Sequence, residues 1–227
     1  MSYVITAPPT PSVEVRGTQN RFPVRRIFCV GRNYAAHARE MGNDDREPPF
    51  FFSKPADAVV ENGVAVPYPP RTKNFHHEVE LVVALGSGGA NVSAANANAL
   101  IYGYAVGIDL TRRDLQTESK DSGKPWDTGK GFDHSAPIGA IRPMSAGGVI
   151  ENARIWLSVN GKMKQDGNVA DMTWKVPEII AELSTLFELA AGDLIYTGTP
   201  AGVGPLVRGD AVEAGIEGLD PLGTRIT

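Results

Sequence analysis

His76-His77-Glu78-Val79-Glu80-Leu81-Val82-Val83-Ala84-Leu85 decides how the rest of the chain is read. Residues 79–85 are β-branched or apolar except for Glu80, which predicts a strand. Side chains alternate along a strand, so Glu78 and Glu80 project from one face about 7 Å apart and aim two carboxylates at one point. A second run of this kind, 101–110, places Asp109 near its end, where packing does not account for a charge. Outward from these two, residues 26–30 (Arg-Ile-Phe-Cys-Val) have the density of a buried strand, and 50–52, 58–60, 64–66 and 193–197 read as further strands. Asn160-Gly161, between 155–159 and 162–164, signals a hairpin, because both residues tolerate the positive φ of a type I′ turn.

Helices are few. Residues 176–190 form the one long amphipathic helix, with Val176, Ile179, Ile180, Leu183, Leu186 and Phe187 on its apolar stripe, Pro177 in the first turn and Gly192 just beyond. Short helices are expected at 34–41, capped by Asn33 and ended by Gly42, and at 93–99. Strands outnumber helices and do not alternate regularly with them. The expected fold class is therefore α+β, mostly β, with a mixed and mainly antiparallel sheet rather than a doubly wound one. Residues 1–24 hold four prolines and read as an extended arm with a short strand near 12–16, leaving 25–227 as a single catalytic domain.

Composition narrows the function. The chain has 227 residues, 22 Lys and Arg against 26 Asp and Glu, and a net charge of −4, so it carries no basic footprint for nucleic acid. Its longest apolar stretch, 99–108, is about half a membrane span and contains two glycines, which excludes a spanning helix as a reading. One cysteine, Cys29, cannot form an internal bridge and lies in an apolar strand, where packing is expected of it. The lone thiol and the Pro-rich start point to a reducing cytoplasm. Gly-x-Gly-x-x-Gly after a strand, Gly-Lys-[Ser/Thr] and Gly-x-Ser-x-Gly are all absent, so no nucleotide-phosphate loop or serine nucleophile elbow is expected.

Three hard oxygen donors, Glu78, Glu80 and Asp109, are the recipe for Mg2+, Mn2+ or Ca2+. His76 shares their parity, so spacing alone leaves open a mixed histidine and carboxylate site for zinc or iron. His37 and Glu40 stand three apart on one face of the expected 34–41 helix, a pairing in which a carboxylate orients a general base. Lys130, flanked by Gly129 and Gly131 in the polar loop 124–133, can reach an anion, and Arg112-Arg113-Asp114 with Gln116 can supply a guanidinium fork for a carboxylate.

Taken together, Val30-Gly31-Arg32-Asn33-Tyr34, His37 with Glu40, Phe52-Ser53-Lys54-Pro55, His76-His77-Glu78-Val79-Glu80-Leu81, Gly107-Ile108-Asp109-Leu110-Thr111-Arg112-Arg113-Asp114, Lys130-Gly131-Phe132-Asp133 and Thr197-Gly198-Thr199-Pro200-Ala201-Gly202-Val203-Gly204 resemble the fumarylacetoacetate hydrolase family, specifically its short single-domain members acting on acylpyruvates. The resemblance runs from about Arg25 to the C-terminus. It implies a mixed β-roll, commonly a homodimer, with Glu78, Glu80 and Asp109 as ligands of Mg2+ or Mn2+ and with Lys130 beside the substrate. It also implies that His37 and Glu40 activate water from a lid segment near 31–48, and that Arg113, Gln116 and Thr199 contact a diketo acid. Arg32 is a candidate partner for a distal carboxylate. The implied reaction is hydrolysis of a carbon–carbon bond in an acylpyruvate, with fumarylpyruvate from aromatic-acid breakdown favoured. The alternatives are an oxaloacetate or related β-keto acid decarboxylase and a non-catalytic keto-acid binder.

Overall fold

The strand Val79–Leu85 runs through the middle of an eight-stranded sheet, and every one of its residues is buried. The computed structural model describes residues 3–34 and 48–227. Across the sheet the order is Phe50–Lys54, Arg26–Gly31, Asp193–Tyr196, Val79–Leu85, Ile101–Ile108, Ala136–Ile138 and Val59–Glu61, with Arg142–Pro143 added to Ile101–Ile108. Asp193–Tyr196 pairs in parallel with Arg26–Gly31, and Ala136–Ile138 with Val59–Glu61, while the other pairs are antiparallel. The expectation of a mostly β, mixed architecture with few helices is met.

Alternation sends the side chains of the central strand into two separate layers. Leu81, Val83 and Leu85 join Ile155, Leu157, Val212 and Ala214 of the four-stranded sheet and Ile179, Ile180 and Leu183 of the helix Val176–Leu186. Val82 and Ala84 join Cys29, Leu194 and Tyr196 on the other face, which is covered by Val13, Val15, Phe22 and Val24. The last four surround a small hairpin of Ser12–Glu14 and Arg21–Pro23, so part of segment 1–24 belongs to the core. Because the sheet is buried on both faces, its central strands read as continuous apolar runs.

The turn at Asn160-Gly161 has φ of 51° and 72°, and joins the strands Arg154–Val159 and Lys162–Asn168 as expected. The long helix is shorter than its pattern predicts. It ends at Leu186, which is 60% exposed, and Phe187 turns extended. Phe187 then stacks on Phe28 at 5.0 Å, under the Arg26 guanidinium, and Leu189 bridges to Gly89. Tertiary contacts of the last residues thus outweigh their helical period. Two helical pieces had no apolar stripe to announce them, namely Arg113–Asp121, whose one aliphatic residue is Leu115, and Asp127–Lys130 within the expected polar loop. Gly129 lets that turn press on the first helix, since a Cβ there would lie 2.8 Å from the Gln116 backbone nitrogen. The helix expected at 34–41 lies, from residue 35 on, outside the described residues. No helix among the described residues is long and apolar enough to cross a membrane.

Candidate metal centre and substrate cavity

The register of the two central strands builds the site. Val79 lies opposite Ile108 and Glu80 opposite Gly107, and just past this ladder the Asp109 N–H donates to the Glu78 carbonyl at 2.8 Å. Two chain segments thirty residues apart in sequence thus end side by side, each offering acids. One carboxylate oxygen from each of Glu78, Glu80 and Asp109 lies within 4.8 Å of the others, and all three residues are buried.

Cations surround the acids. Lys130, buried rather than solvated, donates from Nζ to Asp109 Oδ2 at 2.6 Å, Thr111 Oγ1 at 2.7 Å and Glu78 Oε2 at 2.9 Å. Arg113 donates to Glu78 Oε1 and, at 2.6 Å, to Gln116 Oε1. Lys54 was not foreseen. At the end of the strand Phe50–Lys54, its fully buried ammonium lies 2.8 Å from Asp109 Oδ1 and donates to the carbonyls of Leu110 and Lys130. The signal available was the one that singled out Asp109, a charge closing an apolar strand.

These neighbours split the acids. Burial pushes the Glu78 carboxyl upward, but the Lys130 and Arg113 charges override it and hold it well below the usual range. Glu80 is pushed well above that range by burial and by the charges of Asp109 and Glu78, against which the Gly198 N–H donates at 2.8 Å. Burial lowers the Lys130 ammonium, yet Asp109 and Glu78 raise it overall. A buried set of three hard oxygen donors, one of them with its carboxyl pushed upward by burial and by its acidic neighbours, fits a divalent cation such as Mg2+ or Mn2+. Glu78, Glu80 and Asp109 are the residues that can hold it.

The three acids line a cavity of about 180 Å3, and so do Arg32, Arg113, Gln116, Lys130 and Thr199. Arg32 sits in the left-handed region with φ of 60°, directly after the strand Arg26–Gly31. His76 stays out of the acid cluster. Its ring takes Asn74 Oδ1 at 2.7 Å, and burial together with the Arg113 charge lowers it to about 4, so the mixed histidine and carboxylate site is not formed. His77 points elsewhere, toward Gln165 Oε1 at 3.0 Å. Cys29 is fully buried, and burial pushes its thiol well up, in keeping with packing. His37 and Glu40 lie outside the described residues.

Known proteins resemble this chain in sequence and in fold. The family model for the C-terminal domain of fumarylacetoacetate hydrolase matches residues 26–227. A fumarylpyruvate hydrolase of Ralstonia is 51% identical over 173 residues, covering 76% of this chain and 90% of its own length. An oxaloacetate tautomerase of Arabidopsis thaliana is 43% identical over 197 residues, covering 87% and 88%. In structure, the fumarylpyruvate hydrolase of Pseudomonas aeruginosa, solved with Mn2+ and pyruvate, superposes with a TM-score of 0.97 at 48% identity, over 100% of this chain and 99% of its own. With this match over nearly all of its length, the chain belongs to the fumarylacetoacetate hydrolase family.

Proposed function

We propose that the protein is a divalent-cation-dependent hydrolase that cleaves a carbon–carbon bond in an acylpyruvate, with fumarylpyruvate, giving fumarate and pyruvate, as the favoured substrate. The observation that carries this reading is the convergence of Glu78, Glu80 and Asp109 with Lys130, Arg113, Gln116 and Thr199 on one cavity. Three carboxylates stand against Lys54, Lys130 and Arg113, and Arg32 also lines the cavity, so the loaded centre holds an excess of positive charge. An anionic diketo acid offsets that excess, and a neutral ketone does not. The relatives named fumarylpyruvate hydrolase add to this support.

When bound, Mg2+ or Mn2+ supplies Lewis-acid polarisation of the adjacent carboxylate and 2-keto oxygens of an acylpyruvate. Arg113, Gln116 and Thr199 bind and orient the carboxylate end. His37, oriented by Glu40, takes a proton from water, whose oxygen adds to the 4-keto carbon. The bond between carbons 3 and 4 then breaks, its electron pair passes to the pyruvate fragment, and a proton at carbon 3 completes pyruvate. Lys130 offsets the negative charge that develops. On this reading the enzyme works in the cytoplasm as a homodimer, in the breakdown of aromatic acids.

A second reading, decarboxylation of oxaloacetate, needs the same centre and no water attack. Relatives named oxaloacetate tautomerase and oxaloacetate decarboxylase, at 43% and 40% identity, favour it. Fumarylpyruvate, acetylpyruvate and oxaloacetate, compared by kcat/KM with Mg2+, with Mn2+ and after exhaustive chelation, decide between the two. The hydrolase reading expects fumarylpyruvate first and no turnover without metal. Oxaloacetate ahead of both acylpyruvates would overturn it.

A further inference from the structure

Gln165 is fully buried on the strand Lys162–Asn168, away from the cavity lining, yet its amide joins two parts of the site. Its Oε1 accepts from the Val79 N–H at 3.0 Å and faces His77 Nδ1 at 3.0 Å. Its Nε2 donates to Thr199 Oγ1 at 2.7 Å and to the Pro200 carbonyl at 2.9 Å. No other orientation satisfies these partners. A backbone N–H only donates and a carbonyl only accepts, so rotating the amide would oppose donor to donor and acceptor to acceptor. The same constraint puts the His77 proton on Nδ1.

The consequence falls on Thr199, which lines the cavity and is 5% exposed. Its hydroxyl has one proton and two lone pairs, and one lone pair is taken by Gln165. Among the described residues no hydrogen bond has Thr199 Oγ1 as donor, so the proton is left for the cavity.

We propose that Gln165 is a positioning residue, whose amide turns the Thr199 hydroxyl into an oriented donor for an oxygen of the anionic substrate and ties that donor to the backbone at Val79, between Glu78 and Glu80. The proposal rests on the reading of Thr199 as a substrate contact.

The test is pyruvate binding to the Mn2+-loaded protein by titration calorimetry. Gln165→Glu keeps the oxygen facing Val79 and His77 but presents an acceptor to Thr199, whose hydroxyl then turns away from the cavity. Pyruvate Kd should rise about 10- to 100-fold, the range for one hydrogen bond to a charged group. The Kd for Mn2+ should stay near its original value, whereas a merely structural role would move it; the Tm should fall in either case, because the new carboxylate faces the Pro200 carbonyl. Thr199→Val should lose as much, Thr199→Ser should stay within a few-fold of the parent, and Gln165→Glu combined with Thr199→Val should be no worse than Thr199→Val alone. Additive losses, or parental pyruvate binding by Gln165→Glu, overturn the proposal. A neutron structure of the unchanged protein supplies the second measurement. A Thr199 deuteron directed into the cavity supports the proposal, and one directed at a protein acceptor overturns it even where Gln165→Glu fails to fold. Should the parent bind Mn2+ but no pyruvate, the acylpyruvate reading fails, and the neutron map still decides the role of Gln165.

Discussion

Among the three acids Glu80 is the one whose carboxyl is pushed upward, by burial and by the charges of Asp109 and Glu78. A cation entering the centre favours the ionised carboxylate over the protonated one. Metal binding is therefore expected to release protons and to tighten as pH rises, by up to about tenfold per unit for one proton, until the metal-free Glu80 itself ionises. Calorimetry in two buffers of different ionisation enthalpy counts the protons, and no release at mildly acidic pH would contradict the assignment. His37→Ala should lower kcat by about 10²- to 10⁴-fold while pyruvate Kd stays within several-fold, since the imidazole is assigned to water and not to chelation. Single-turnover and binding measurements separate the two. Arg32 lines the cavity, and its assignment as reader of a distal carboxylate predicts that Arg32→Ala slows fumarylpyruvate more than acetylpyruvate in kcat/KM. An equal loss on both substrates would remove it from that role.

The paired strands Val79–Leu85 and Ile101–Ile108 set the spacing of the acids, and their close approach to Asp193–Tyr196 depends on Gly107. A Cβ on Gly107 would press into Val82 and come within 2.6 Å of the Tyr196 ring. Because Gly107 lies opposite Glu80, Gly107→Ala is expected to cost about 1–3 kcal/mol of stability and to weaken metal binding as well. Urea unfolding of the metal-free protein and a Mn2+ titration check the two effects, and an unchanged midpoint would show that the sheet yields there. The helix Arg113–Asp121 illustrates how an element escapes periodicity. Its buried residues are Gln116 and Ser119, and the cavity is lined by its polar Arg113, Gln116, Thr117, Lys120 and Asp121, so it offers no apolar stripe.

The whole molecule is needed to assemble the centre, which draws on residues from Lys54 to Thr199 in different sheets and connections. Mn2+ with pyruvate should then bind only the folded chain, adding about 2.7 kcal/mol at a hundredfold excess over Kd. For a chain of this size that raises Tm by roughly 5–10 °C, measurable by scanning calorimetry against a chelated control. No shift would mean that the centre does not bind them as assigned. Local order in the chain was enough to determine the strand at 79–85 and its same-face acids, the Asn160-Gly161 hairpin and the start of the helix at Val176, because each is set by neighbours two to four residues away. It also marked Asp109 as a charge that packing does not explain. Tertiary structure alone decided that Lys54 and Lys130 would bury their ammonium groups against that carboxylate, that Gln165 would reach across from a second sheet, and that the long helix would stop at Leu186. Those outcomes depend on which distant surfaces meet and on the cost of leaving a buried charge or amide unpaired, and neither quantity is carried by any short stretch of the chain.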